Sequence, residues 1–135
     1  MSRQNVEVVR QGFDAFEQGD MRRFGEVMDP QVVTYAPEGW PEGGPFVGRD
    51  DSLREFERLQ EDWTDHRIVM EEILDGDDWV VVRFRWEVTG RASGVEAVMD
   101  QSAAFRVQAG KIAEARFFWE HDHALAAAGL GKLPR

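Results

Sequence analysis

Four consecutive ionisable residues, with the sequence EHDH at positions 120–123, are the part of this chain best suited to chemistry. Imidazoles and carboxylates bind metal ions, and a histidine with an ordinary pKa of ~6.5 also suits proton transfer at neutral pH. Polarity alternates over residues 111–121, which predicts a strand, and residues 122–128 are expected to form a short helix. Since a change from strand to helix makes the two histidines diverge, we predict no metal site.

Alternation along the predicted strand divides these ionisable residues between two faces of a sheet. One face carries Phe117, Trp119 and His121, and the other carries Glu120. The first face matches the apolar side of the neighbouring strands, so we predict that His121 points inward and acts as a general acid or base. Asp122 is expected to cap the following helix.

Two further polar residues are candidates for orienting a bound carbonyl group. Gln101 shares its parity with Ala103 and Phe105 in an apolar strand, which predicts that its amide points inward. A buried amide needs a hydrogen-bond partner, which Tyr35, another side chain, water or a ligand can supply. Structural and ligand-binding roles for Gln101 both stay open at this point.

Large aromatic rings recur at inward positions of the predicted helices and strands, where they form either a packed core or the wall of a pocket. Small residues such as Gly12 and Ala115 leave room beside these rings and favour a cavity. Trp40 lies in a loop, where it either plugs the core or covers a pocket. The predicted ligand-binding set is Phe16, Trp40, Phe56, Trp63, Phe84, Trp86, Phe105, Phe117 and Trp119.

Composition narrows the classes of partner. The 135 residues carry a net charge of −10 with no basic run, which disfavours binding to nucleic acid or anionic membranes. The absence of cysteine excludes disulfides and thiolate chemistry. The N-terminus has no apolar signal core and no apolar run reaches ~18 residues, so we expect a cytoplasmic protein without membrane spans.

The order of elements predicts one α+β domain over residues 1–135. Three helices come first, and four strands joined by short turns follow as an antiparallel meander. The third helix is expected to begin at Asp51 or Ser52, with Glu55 in a capping box and on the solvated face, and to bury Trp63 in its apolar stripe. The helices are expected to cover one face of the sheet, which leaves a polar face for a second subunit. The predicted helices are residues 3–18, 20–28 and 51–63, and the predicted strands are 31–36, 66–74, 79–90, 96–108 and 111–121.

Several short motifs occur in an order that resembles the SnoaL-like branch of the nuclear transport factor 2-like superfamily. They are EQGD, TYAP, GRD, GKI and HALAAAGL, and together they span most of the chain. The resemblance implies a cone-shaped barrel in which a strongly bent sheet wraps around three N-terminal helices and encloses a deep apolar cavity. It also implies a homodimer formed through the outer sheet face. Relatives include polyketide cyclases, ketosteroid isomerase, epoxide hydrolases, dehydratases and non-catalytic binders, so the fold does not fix the function.

Catalytic residues carried over from these relatives are mostly absent. The positions of the ketosteroid isomerase tyrosine and two aspartates correspond to Gly12, Ala36 and Ala103, none of which can move a proton. His121 lies nearest the acid/base aspartate of SnoaL-like cyclases. Arg85 and Glu87 resemble part of the epoxide hydrolase site, but alternation points both away from the helices.

Three functions therefore stay open. The first is a module that binds a small apolar or aromatic molecule in the cavity. The second is a cofactor-free cyclase, isomerase or dehydratase that uses His121, with Gln101 or Tyr35 orienting a carbonyl. The third is a dimerisation module whose cavity is filled by its own tryptophans.

Overall fold

The computed structural model of the protein describes residues 2–131. Its helices are α1 (Ser2–Glu17), α2 (Met21–Glu26), α3 (Arg49–Glu61) and α4 (His121–Ala127). Its strands are β1 (Met28–Tyr35), β2 (Phe46–Val47), β3 (Trp63–Gly76), β4 (Trp79–Gly90), β5 (Glu96–Gln108) and β6 (Lys111–Phe118). None of the helices in this described part combines the length and apolarity that a membrane crossing requires.

The six strands form one curled sheet in the order β2-β1-β6-β5-β4-β3. Only β1 and β6 run parallel, and β3 to β6 form the predicted antiparallel meander. The sheet does not close, since β2 and β3 remain as its two edges. The predicted α+β class, with a strongly bent and mostly antiparallel sheet, is confirmed.

On β4 and β5, every second side chain points to the same face of the sheet, and these side chains form a large part of the main core. Val80, Val82, Phe84 and Trp86 alternate with residues of the opposite face, and all four are buried against α1 to α3. Phe13 of α1 enters the same core because helical spacing places it on the stripe with Val9 and Phe16.

Helix α3 begins earlier than the sequence indicated. Gly48 is its N-cap, with φ of 92°, and no side chain caps it. The prediction that Asp51 or Ser52 caps the helix is therefore wrong. Ser52 is instead fully buried, and its hydroxyl accepts a hydrogen bond from Thr34 Oγ1 at 2.9 Å. Trp63 likewise begins β3 rather than ending the helix.

The second face of the sheet is partly apolar, contrary to the prediction that helices cover one face only. Val81 and Ala104 lie on this outer face and are fully buried beneath Ala124 and Ala128 at the end of the chain. Helix α4 therefore packs on the side of the sheet opposite α1 to α3. The physical reason is the small size of these residues, which lets a helix approach the strands closely.

Replacing Val81 by alanine tests this second core. We expect Val81→Ala to lower the free energy of unfolding by about 2 kcal/mol, since it removes two buried methyl groups and leaves a cavity. The control is Val47→Ala on β2, whose side chain is 65% exposed, for which we expect a change within about 0.5 kcal/mol. Urea denaturation measures both, and equal effects of the two substitutions would contradict the packing of α4 on the sheet.

Candidate functional site

A cavity of ≈80 Å³ lies between the main core face of the sheet and helices α1 to α3. Its wall is apolar except for Thr34, Glu55 and Gln101. The apolar residues that line it are Val9, Gly12, Phe13, Phe16, Phe24, Ala36, Pro37, Trp40, Phe46, Phe56, Leu59, Ile68, Phe84, Trp86, Phe105, Ile112 and Phe117.

Seven of the nine aromatic residues predicted to bind a ligand line this cavity. They are Phe16, Trp40, Phe56, Phe84, Trp86, Phe105 and Phe117. Apart from Trp40, these rings pack edge to face, with Phe16 to Phe56 at 5.6 Å and Phe105 to Phe117 at 5.8 Å between centroids. Such contacts hold the rings in fixed positions. That these seven side chains contact a ligand stays a prediction.

Trp63 and Trp119 do not line the cavity, so their predicted placement is wrong. Trp63 packs against Trp86 at 5.9 Å near the start of β3. Trp119 follows the end of β6, where its side chain is 44% exposed and its Nε1 donates to the carbonyl of Glu38. The predicted strand over residues 111–121 is three residues too long, and alternation no longer applies after Phe118.

His121 lies outside the cavity, so the prediction that it faces inward is wrong for the same reason. It is the first residue of α4, and its Nδ1 lies 2.7 Å from Ser102 Oγ. Ser102 is on the outer face of β5, one residue after the inward Gln101, and its hydroxyl also donates to Val82 O at 3.2 Å. From this position the His121 imidazole joins α4 to the sheet and cannot transfer a proton to a molecule inside the cavity.

Tyr35 also lies on the outer face. Its ring stacks under the guanidinium of Arg116, with 4.2 Å from the Arg116 carbon to the ring centroid. Its neighbour Thr34 takes the inward position on β1, in keeping with strand alternation. The prediction that Tyr35 orients a carbonyl inside the cavity is therefore wrong.

Gln101 occupies the inward position that the sequence predicted. The residue is 5% exposed and lines the cavity. No residue between 2 and 131 forms a hydrogen bond with its side-chain amide, whereas Thr34, another polar residue of the wall, donates to Ser52 outside the wall. Trp63 Nε1 is the fully buried side-chain polar atom of residues 2–131 that lacks a partner. The Gln101 amide instead reaches open space in the cavity, so its donor and acceptor are available there.

Glu55 is the one charged residue in the cavity wall, and sequence reasoning placed it on the solvated face. Its side chain is 8% exposed. Both carboxylate oxygens accept from Arg58, each at 2.8 Å, and one also accepts from Trp40 Nε1 at 3.1 Å. The sequence did contain a signal, because Ser52, Glu55, Phe56 and Leu59 follow helical spacing and are the buried residues of α3.

The charge state of Glu55 follows from these contacts. Burial raises the pKa of its carboxyl group, but the hydrogen bonds from Arg58 and Trp40 and the charge of Arg58 outweigh burial. The net pKa lies below the ordinary value, so Glu55 is an ionised carboxylate at neutral pH. Arg58 in turn lies near two further carboxylates, with Asp62 at 3.3 Å and Glu42 at 3.7 Å.

His66 fixes the orientation of Trp86 in the wall. Trp86 Nε1 donates to His66 Nδ1 at 3.1 Å, and the imidazole packs edge-on against Phe16 at 5.4 Å. Burial lowers the pKa of His66, although the charges of Glu17 and Asp65 partly oppose this. The imidazole is therefore neutral at pH 7, with Nδ1 as the acceptor that the Trp86 indole requires.

The fold and the site define the class of protein to which this chain belongs. It has the cone fold of the nuclear transport factor 2 and ketosteroid isomerase group, with an aromatic cavity inside the curled sheet. A family model described as SnoaL-like domain matches residues 9–115, and the chain belongs to this family. Among residues 2–131, no group of three or more His, Asp or Glu side chains is arranged to hold a metal ion.

Solved structures with the same fold are numerous. A protein called Bal32a, from a soil-derived mobile gene cassette, is 24% identical with a TM-score of 0.78, covering 86% of this chain and 88% of its own. A protein from Jannaschia described as a SnoaL-like polyketide cyclase is 20% identical with a TM-score of 0.76, over 98% and 94% of the two chains. A protein from Catenulispora acidiphila with a ketosteroid isomerase-like fold is 13% identical with a TM-score of 0.75, over 95% and 98%. Comparison with curated proteins gives no significant match.

Substitution of His66 tests the assignment of its neutral form. As pH falls below ~6.5, the unfolded chain binds a proton at His66 before the folded chain does, so folding stability declines. We expect His66→Asn, which keeps an acceptor for Trp86 but does not titrate, to remove this part of the decline. Between pH 7 and pH 5.5, the unfolding free energy of wild type should therefore fall by more than that of His66→Asn does.

Urea denaturation at both pH values measures this difference. The control is His66→Phe, which abolishes titration and also leaves the Trp86 indole without an acceptor. We expect it to be about 1–3 kcal/mol less stable than His66→Asn at pH 7. If the difference in unfolding free energy between wild type and His66→Asn is the same at pH 7 and pH 5.5, the pKa of His66 is not lowered by folding.

Proposed function

We propose that this SnoaL-like domain binds a small, mostly apolar or aromatic molecule that carries one hydrogen-bonding group. The observation that supports this most strongly is Gln101, a buried amide that faces the cavity without a partner among residues 2–131. Proteins pair nearly all buried polar groups, because an unpaired group loses its hydration without compensation. A ligand with a hydroxyl or carbonyl group would restore the missing bond.

Catalysis has less support than binding. The acid/base role proposed for His121 requires the imidazole to lie in the cavity, and it lies on the other side of the sheet. Glu55 is the remaining ionisable residue of the wall, and its pKa is lowered by Arg58 and Trp40 against the effect of burial. A carboxylate with a lowered pKa is a weak base and is not protonated for acid catalysis at neutral pH. A cyclase, isomerase or dehydratase therefore remains the alternative proposal.

The charge of Glu55 also favours certain ligands over others. A carboxylate offers about four acceptor positions, and Arg58 and Trp40 occupy three of them. Arg58 itself does not form part of the cavity wall, and no other arginine or lysine of residues 2–131 does. We infer that neutral or positively charged ligands are accepted, and that an anionic ligand of the same size is rejected.

Replacing Gln101 by leucine separates a ligand-binding role from a structural one. We expect Gln101→Leu to raise the free energy of unfolding by about 1 kcal/mol, since it removes an unpaired buried amide at similar volume. The same substitution should abolish the preference of the wild type for phenol over toluene, which differ by a hydroxyl in place of a methyl group. Urea denaturation gives the first quantity and titration calorimetry the second.

Gln101→Glu is the matched control in which the shape is kept and a second carboxylate enters the wall. We expect it to bind phenol more weakly than wild type does, and benzoate to bind neither protein. A variant Gln101→Leu that is less stable than wild type would assign Gln101 a structural role. Equal affinity of wild type for phenol and toluene would contradict the proposed anchor.

We also propose that two copies associate through the outer sheet face that α4 leaves uncovered. This face carries charges of both signs, such as Arg85 with Glu71 at 3.6 Å, and the exposed Val98, at 57%. An apolar side chain among charges of both signs suits an interface between identical surfaces. We expect light scattering to give twice the chain mass of 15.5 kDa at micromolar concentration.

Val98→Asp tests the position of this interface, because it replaces the exposed apolar side chain of the outer face by a carboxylate. We expect the variant to be a monomer, while Val47→Asp on the β2 edge stays dimeric. A monomeric wild type would refute the dimer, and a dimer in both variants would place the interface elsewhere.

A further inference from the structure

The loop of residues 37–45, between β1 and β2, closes one side of the cavity. Its Trp40 indole is part of the wall. The backbone hydrogen bonds that its amides donate stay within the loop, from Trp40 to Pro37, Gly43 to Trp40 and Gly44 to Glu42, at 2.9–3.1 Å. The other sides of the cavity consist of helices and hydrogen-bonded strands. This loop is therefore the section of the wall that can move without breaking a helix or a sheet.

Side chains rather than backbone bonds attach the loop to the rest of the protein. Trp40 Nε1 donates to Glu55, and Trp119 Nε1 donates to the carbonyl of Glu38. The two indoles also pack on each other, with 6.1 Å between ring centroids. Glu42 lies 3.7 Å from Arg58, which adds an exposed ion pair of small energy.

Glu55 is well suited to hold Trp40 in place. Its carboxylate is buried and fixed by two hydrogen bonds from Arg58, so the acceptor for the indole has a defined position. A hydrogen bond to a charged group contributes about 1.5–3 kcal/mol, roughly twice as much as a bond between neutral groups. This bond to one carboxylate therefore fixes the orientation of the Trp40 indole, while packing on Trp119 and on the core adds to the stability of the closed position.

The volume of the cavity shows why this wall has to move. An engineered apolar cavity of about 150 Å³ in another protein binds benzene, whereas the cavity here measures ≈80 Å³. A ligand with two aromatic rings therefore needs more space than the cavity offers while Trp40 is closed. The strands around Phe84 and Phe105 are held by ladder bonds on both sides, so they cannot supply the missing space.

We propose that Trp40 is a gate that sets the size of ligand the cavity accepts, and that Glu55 holds this gate closed. The inference rests on the proposed binding function of the cavity. It makes Trp40 the specificity-determining residue and gives Glu55 a positioning role through the indole.

Ligand size and association rate test the gate directly. Phenol and 1-naphthol share one hydroxyl group and differ by one ring. We expect Trp40→Ala to raise the affinity for 1-naphthol relative to phenol about tenfold, and to speed association of 1-naphthol by a similar factor. Titration calorimetry measures the first effect and stopped-flow naphthol fluorescence the second.

Two further variants separate opening from enlargement. Trp40→Phe keeps a ring but cannot donate to Glu55, so association should speed up while the preference for phenol is largely kept. Phe117→Leu enlarges the cavity from the sheet side without changing Trp40, so we expect it to shift the affinity ratio toward 1-naphthol. The control is Val47→Ala, an exposed residue of β2 outside the cavity wall, which should leave the association rate within about twofold of wild type. Thermal unfolding of each variant establishes that it is folded at the temperature of the experiment.

Hydrogen exchange tests the role of Glu55 without any ligand. We expect Trp40→Phe to increase exchange at the bonded amides of Gly43 and Gly44, because the loop loses its main attachment. Unchanged exchange in this variant would refute the attachment.

The binding outcomes distinguish the gate from the function on which it rests. In one outcome, Trp40→Ala binds phenol yet shows the wild-type ratio of 1-naphthol to phenol affinity and the wild-type association rate of 1-naphthol. That result would overturn the gate and leave the binding function intact. Failure of wild type and Trp40→Ala to bind either compound would overturn both.

Discussion

The structure depends on a sheet that curls enough to bury one face of its central strands. Strands β4 and β5 are the centre of this sheet, and their inward residues are buried without exception from Val80 to Val88 and from Gln101 to Val107. Curling brings the ends of the sheet around helices α1 to α3, so that aromatic side chains converge from several directions. Small residues among these rings, such as Gly12 and Ala36 in the wall, leave the residual space in the centre.

The polar groups in this apolar interior fall into two classes, those with a hydrogen-bond partner and those without one. Thr34 and Ser52 bond to each other, and Glu55 is paired with Arg58, so these groups carry little cost after folding. Gln101 has no such partner among residues 2–131. Trp63 Nε1, outside the cavity wall, is the fully buried polar atom without a partner among the described residues. Within the wall, Gln101 is the unpaired polar residue and its amide faces the cavity, although folding alone would favour an apolar residue of the same size there.

Much of the fold could be predicted from the sequence, because period-two and helical patterns are long and regular here. The four strands of the meander, the inward position of Gln101 and the wall residues Phe84, Trp86, Phe105 and Phe117 followed from alternation, and Phe16 and Phe56 followed from helical spacing. Alternation failed where the strand ended. β6 stops at Phe118 and the chain bends before α4, so the parity that placed His121 inward did not apply. Strand ends depend on tertiary contacts, which in this case are the packing of α4 over Val81 and Ala104.

Glu55 illustrates a different limit. Its place on the helical stripe of Ser52, Phe56 and Leu59 was visible, but a glutamate in a run of charges usually lies in solvent. What overrides this tendency is Trp40, which comes from a distant loop and covers the carboxylate while donating to it. Burial of the charge is possible because Arg58 neutralises it from the solvent side. The loop, the carboxylate and the guanidinium therefore have to be considered together, since none of them has its observed environment without the other two.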